Sequence, residues 1–266
     1  VKNMLLISIT DDLQPKHVQR IENIVEPMEV RVVKDLMEDK SLLERTKILI
    51  TYGHQVNRES LDLMPSLEWI QVFQSGAELI QEKGVLLTNI RDFHGTPMTE
   101  YTMSIILSVT RELDKYKEYQ RENRWYREEY VEEAYGKTVS IFGSGAIGQH
   151  IAHMCKNFGM HVIGINTTGK MKPHFDEMYT LDERVAVLEK SDFVILLLPS
   201  TKETYHFFTL KEFQAMKKSA YLINIGRGSL IKTDDLITSL NSGLISGATV
   251  DVTEAVPLTS VMELSS

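Results

Sequence analysis

The chain has 266 residues, of which 42% are hydrophobic and 25% charged, and it carries a formal net charge of −8 at pH 7. Such a chain can bury a substantial core and is long enough for two domains. Its acidic balance argues against nucleic acid or an anionic membrane as the main partner, because both attract basic surfaces.

The opening VKNMLLISITDD is a short apolar run broken by two aspartates. It reads as a first strand rather than as a secretion signal. No apolar stretch reaches the ~18 residues of a membrane span. Further strands are predicted over residues 4–9, 29–33, 48–51, 69–73 and 85–89, with helical pieces such as PKHVQRIENIV between some of them. In the second half they are predicted over 138–142, 162–165, 193–198, 221–225 and 247–250. Strands apolar on both faces and alternating with helices imply parallel sheets covered by helices. Two such series imply two α/β domains, over residues 1–96 and 97–255. At the boundary, Thr96 can cap a helix and Pro97 suits its first position. That helix is predicted to run to about residue 119.

Residues 111–133 are heavily charged and interleaved with Tyr116, Tyr119, Trp125, Tyr126 and Tyr130. Acids outnumber bases there, so the stretch reads as a solvated helix or a subunit-contact arm. The single cysteine, Cys155, excludes an intramolecular disulfide and suits a reducing, cytoplasmic setting. Cys155 and Met154 are expected to pack in the core, as are Met98 and Met103, and no metal site is expected.

The clearest chemistry lies in KTVSIFGSGAIGQHIAHMCKNFGMHVIGINTTGK. A strand runs into Gly143, Ser144, Gly145, Ala146, Ile147 and Gly148, then a helix, then a second strand. Gly143 permits a tight turn, Gly145 lets backbone approach a pyrophosphate, and Gly148 lets the helix pack on the strand. Free N–H groups and the helix dipole at that point favour phosphate. About 20 residues further on, a carboxylate commonly accepts a bond from the adenosine ribose. Here that place holds neutral Asn166, followed by Thr167, Thr168, Gly169 and Lys170. These groups suit a 2′-phosphate, so NADP(H) is the expected cofactor. NAD(H) remains the alternative, with Asn166 on the ribose and Lys170 solvated.

Two later strands end in loops with further chemistry. DFVILLLPSTKETYHFF turns after Pro199 through Thr201 and Thr204, and AYLINIGRGSLIKTDDL presents Arg227 between Gly226 and Gly228. An arginine at the carboxyl edge of a parallel sheet faces the ligand crevice, and its planar fork matches a carboxylate.

FQSGAEL (residues 73–79), GVLLTN (84–89), the glycine loop, LLLPSTKET (196–204), INIGRG (223–228) and GATVDVTEAVPL (247–258) follow in order. Together they resemble the D-isomer-specific 2-hydroxyacid dehydrogenases over nearly the whole chain. The resemblance implies a flavodoxin-like substrate domain and a Rossmann-like cofactor domain. It also implies hydride transfer between a nicotinamide and the Cα of a 2-oxo or 2-hydroxy acid, and a homodimer. Arg227 would hold the substrate carboxylate and oxo group, and Ser75, Gly76 and Ala77 would offer backbone N–H groups. His94 falls where many relatives carry Asn near the substrate. Asp251 would meet the nicotinamide carboxamide, with Pro199, Thr204, Ile225 and Gly226 along the cofactor. Small substrates such as glyoxylate, hydroxypyruvate or pyruvate are expected, because the substrate-side loop TYGHQ has no Arg or Lys for a phosphate.

In relatives a carboxylate orients the proton-donating histidine from the position five residues past this aspartate. Here that position is Val256, which cannot titrate. The family's histidine follows in a Pro-His motif beyond the last strand, so residues 256–266 are expected to begin a return segment that continues past Ser266. An intact protein heavier than 30.4 kDa is expected accordingly. A catalytically silent dinucleotide-binding protein is the rival expectation.

Overall fold

The structure, a computed structural model, describes residues 3–9, 13–73, 84–90, 93–125 and 131–254. The chain divides into two units, Val1–Arg91 and Asp92–Ser266.

In the first unit the apolar runs become strands β1 (Met4–Ile7), β2 (Glu29–Val32), β3 (Thr46–Thr51), β4 (Trp69–Val72) and β5 (Leu86–Asn89). All pair in parallel, in the order β2-β1-β3-β4-β5, which is the flavodoxin-like arrangement. Helices α1 (Pro15–Val25), α2 (Lys40–Arg45) and α3 (Arg58–Asp62) connect them. The whole of β1 is buried. Met4 and Leu6 join one apolar cluster with Leu49 and Ile70, while Leu5 and Ile7 join another with Ile48 and Ile50. This two-residue alternation, apolar on both sides, is what a strand covered on both faces requires.

The second unit begins with α4 (Gly95–Thr110) and α5 (Leu113–Arg121). It continues through β6 (Thr138–Phe142), α6 (Ala146–Asn157), β7 (His161–Asn166), β8 (Glu177–Thr180), α7 (Arg184–Leu188) and β9 (Phe193–Leu196). It then runs through α8 (Leu210–Ala215), β10 (Tyr221–Asn224), α9 (Thr233–Asn241) and β11 (Gly247–Val250). Its six-stranded sheet has the order β11-β10-β9-β6-β7-β8, all parallel. Counted from β6 this is the doubly wound Rossmann order, which reverses between β6 and β9. Phe193, Ile195 and Ile223 pack with Met103 and Ile106 of α4 and with Ile151 and Cys155 of α6. Val194, Leu196 and Leu222 pack on the other side with Val187, Phe213 and Leu236 of α7, α8 and α9. Cys155 is fully buried, 3.8 Å from the Met103 sulfur, and burial pushes its thiol pKa up to about 12.

Three expectations need correction. Helix α4 starts at Gly95 with His94 as its cap, ahead of Thr96. Gly95 makes this possible, because a Cβ there would collide with the His150 ring of α6. Pro97 is still within the first turn, where its missing N–H costs nothing. The long helix predicted to residue 119 is two helices, broken at Glu112, whose φ of 51° is left-handed. Strand β8 was not predicted; EMYT is short and half-buried throughout. Helix α5 buries no residue and carries the ion pairs Lys115–Glu112 and Lys117–Asp114, so the solvated-helix reading describes this part of the charged stretch.

Candidate active site

The second unit brings most of the sequence-predicted site residues to one edge of its sheet. Gly143 follows β6, Asn166 ends β7, Pro199 lies past β9, Ile225 to Arg227 follow β10, and Asp251 follows β11. All are carboxyl ends of parallel strands, where ligands bind in such folds, and the glycine loop stands at the order reversal.

The local geometry of that loop fits a dinucleotide. Gly143 has φ 116° and donates its N–H to Ile165 O at 3.0 Å, while Leu197 N–H donates to Phe142 O at 2.8 Å. A Cβ at Gly148 would collide with the Gly143 carbonyl oxygen, so α6 packs on the loop more closely than any side chain would permit. Around Gly145 the space where a Cβ would project is open to beyond 4 Å. Gly145 stands at the N-cap of α6 and, having no side chain, makes no capping bond to the first-turn N–H groups. Backbone amides at a helix start beside an open glycine are an arrangement that suits a pyrophosphate.

Beyond β7 the chain closes on itself. The Asn166 Nδ2 group donates to Ser144 Oγ at 3.0 Å and to Lys170 O at 3.1 Å. Its Oδ1 accepts from Thr168 N at 2.9 Å and from Thr168 Oγ1 at 3.2 Å. Gly169 turns the loop with φ 64°. Thr167, Thr168 and Lys170 are exposed, and no carboxylate lies on this turn.

The loop carrying Arg227 is organised by Asn224, which sequence reasoning did not single out. Asn224 is fully buried. It donates from Nδ2 to Arg227 O at 3.0 Å and accepts from Gly226 N at 3.2 Å. The Arg227 guanidinium donates to Gly226 O at 2.9 Å. Gly226 lies where a Cβ would crowd the carbonyl oxygens of Leu196 and Leu198 at 3.1 and 3.2 Å.

Neighbouring loops are tied to this one. His206 donates its backbone N–H to Ser229 O at 2.8 Å, and its ring stacks on Tyr205 with centroids 4.0 Å apart. The ring Nε2 lies 3.1 Å from Glu254 Oε1, and Tyr205 OH donates to the same oxygen at 2.9 Å. Burial alone would raise the Glu254 carboxyl pKa, but the bonds from His206 and Tyr205 hold it below its usual range. A Cβ on Gly228 would collide with the Thr253 backbone, so the Arg227 loop also packs directly on the segment after β11.

Asp251 lies beside Tyr101 of α4; burial first, then this carboxylate, raise the Tyr101 hydroxyl pKa. Thr204 turns inward, donating to Pro199 O at 2.6 Å and accepting from Thr201 N at 2.8 Å. Its hydroxyl therefore holds the turn that presents Pro199. His94 is half-buried at the head of α4, edge-on to Phe93 at 5.4 Å. Ser75, Gly76, Ala77 and Val256 lie outside the described residues.

The first unit has its own order reversal, between β1 and β3. Ser8 Oγ donates to Thr51 Oγ1 at 2.7 Å or to Gln55 Oε1 at 2.8 Å. Tyr52 stacks on His54 in the loop that follows, 5.7 Å between centroids. Among the described residues no three His, Cys, Asp or Glu side chains are grouped to hold a metal, and no helix is long and apolar enough to cross a membrane.

Residues 103–266 match the family model described as D-isomer specific 2-hydroxyacid dehydrogenase, NAD binding domain. The chain belongs to this family. A glyoxylate reductase from Thermococcus onnurineus is 30% identical over 259 residues, covering 89% of this chain and 77% of that one. A crystal structure of a D-isomer specific 2-hydroxyacid dehydrogenase family protein from Aeromonas salmonicida matches with a TM-score of 0.85 at 31% identity, covering 99% of this chain and 86% of that one. An NADPH-dependent glyoxylate/hydroxypyruvate reductase from Sinorhizobium meliloti, in complex with NADP and sulfate, matches with a TM-score of 0.83 at 25% identity, covering 97% and 84%. This family member is therefore a hydride-transferring oxidoreductase with a nicotinamide-binding unit, built on an α/β fold of two parallel sheets.

Proposed function

We propose that this dehydrogenase reduces small 2-oxo acids such as glyoxylate, hydroxypyruvate or pyruvate, with NADPH preferred over NADH. The observation that carries the cofactor preference is the turn after β7, where Asn166, two threonines and Lys170 stand in place of a carboxylate. An acid there would repel a 2′-phosphate, whereas exposed hydroxyls and an ammonium attract one. The S. meliloti relative, described as NADPH-dependent, supports the same choice.

The same reading gives each residue along the sheet edge a role toward the cofactor. Gly145 and the first-turn amides of α6 would hold the pyrophosphate, Pro199, Thr204, Ile225 and Gly226 would flank the nucleotide, and Asp251 would orient the carboxamide. The nicotinamide, when bound, supplies the hydride that the 2-oxo carbon takes up. Arg227 holds the substrate carboxylate and polarises its oxo group, its loop braced by Asn224 and Gly226. His94 is assigned to the substrate side, and the first unit is the proposed substrate domain. A homodimer and a cytoplasmic location complete the proposal.

A second reading, a dinucleotide-binding protein without turnover, is favoured by Val256, which can neither titrate nor orient an acid-base histidine. Oxidation of NADPH, followed at the reduced-nicotinamide absorbance with a panel of 2-oxo acids and the full-length protein, separates the two. Turnover of at least one acid supports the reductase. Tight NADPH binding with no turnover of any acid supports the silent reading instead.

A further inference from the structure

An asparagine side chain has two N–H donors and an oxygen with two lone pairs. In Asn166 every one of these is satisfied by the protein: Ser144 Oγ and Lys170 O accept from Nδ2, and Thr168 N and Oγ1 donate to Oδ1. A residue that reads a ribose hydroxyl or a phosphate directly needs a valence to spare, and Asn166 has none.

Its partners are also unusual in their placement. Ser144 lies inside the glycine loop, 22 residues earlier in the chain, and is 6% exposed. Thr168 and Lys170 belong to the turn that faces solvent. The turn is seated at Gly169, where a Cβ would meet Thr180 Cγ2 of β8 at 3.2 Å. One amide thus joins the pyrophosphate cradle to the turn assigned to the ribose. We propose that Asn166 is a positioning residue, which sets cofactor choice by holding Thr167, Thr168 and Lys170 in register with the glycine loop rather than by touching the nucleotide.

Aspartate at this position would behave differently. It would keep both bonds from Thr168, but it has no donor for Lys170 O, and Ser144 would have to reverse and donate. The turn would lose its tie to its own carbonyl and gain a negative charge. The inference rests on the proposed dinucleotide site and on its preference for NADPH.

The test is a double-mutant cycle on the full-length protein, with dissociation constants for NADPH and NADH read from reduced-nicotinamide fluorescence. Ser144→Ala and Asn166→Ala are each expected to weaken NADPH about tenfold, and the double variant by little more than the worse single one. Lys170→Ala is expected to lower the NADPH-to-NADH preference in the wild-type background and to leave it unchanged in Asn166→Ala. In turnover, the KM for NADPH should rise while kcat at saturating NADPH holds. Additive losses, or a loss in Asn166→Ala with none in Ser144→Ala, would overturn the positioning role in favour of direct contact. Ser144→Ala removes one hydroxyl and keeps the comparison with Lys170→Ala available should Asn166→Ala disturb folding. Equal affinity of the wild-type protein for the two cofactors would defeat the NADPH preference and, with it, the role of Asn166 in setting cofactor choice, whereas additive losses on a retained preference would overturn the positioning role alone. Binding of neither would defeat the dinucleotide site and the inference with it.

Discussion

A Cβ placed on Gly148 would overlap the carbonyl oxygen of Gly143, its neighbour across the glycine loop. The obstacle is backbone, so it cannot rotate away as a side chain would. Gly148→Ala must therefore push α6 off the end of β6, and a loss of about 1–3 kcal/mol in unfolding free energy is expected, with weaker NADPH binding. Gly145→Ala is expected to leave the melting temperature near wild type while weakening NADPH, because among the described residues nothing lies within 4 Å of where its Cβ would be. Thermal unfolding and fluorescence titration of the two variants check the contrast; equal melting temperatures would contradict the close-packing role.

Asn224→Ala leaves the Gly226 N–H and the Arg227 carbonyl without their side-chain partner in a buried setting. The expected cost is about 1–3 kcal/mol in urea unfolding. A raised KM for the 2-oxo acid should accompany it, because Arg227 loses the frame that aims it. An unchanged KM in a destabilised variant would separate Asn224 from substrate binding.

Acid should loosen the segment after β11. The Glu254 pKa is lowered in the folded protein by His206 and Tyr205, against the opposing effect of burial. A depressed carboxyl stabilises the fold above its unfolded-state pKa of about 4.3, and that contribution is lost as pH falls through the folded value. Glu254→Gln is thus expected to melt below wild type at neutral pH and to converge with it as pH falls through the lowered carboxyl value. A constant gap from pH 7 to pH 3 would remove the carboxylate from the account.

Cys155 should be chemically silent. Full burial and a thiol pKa pushed up to about 12 leave almost no accessible thiolate at pH 8. A thiol-disulfide reagent at that pH should label the protein only after guanidinium is added. Rapid labelling of the native protein would mean that the interface between α4 and α6 opens readily.

Both sheets were legible in the sequence chiefly through central strands such as MLLI, TVSIF and FVIL, which are buried on both faces and read as nearly continuous apolar runs. The edge strand β8 was not, since Glu177 to Thr180 is half-buried and compositionally mixed. Likewise, nothing about Glu112 advertises a left-handed backbone, so two helices read as one. The glycine loop was legible from spacing because each glycine answers a separate steric demand. Asn166 was placed correctly at the end of β7, but its saturation by Ser144 depends on a through-space partner. Asn224 and Thr204 illustrate the same limit: the bonds by which Asn224 holds Arg227 O and Thr204 holds Pro199 O depend on loop geometry that spacing does not show.

His206 bonds through its backbone to the Arg227 loop and through its ring to Glu254 after β11, while itself belonging to the segment after β9. Three connections from three different strands are thereby fastened at one residue. Opening of this edge then has a single free energy shared by all three, rather than a separate one for each loop. Ligand groups proposed to rest on different strands of this edge would in this way be admitted or released together.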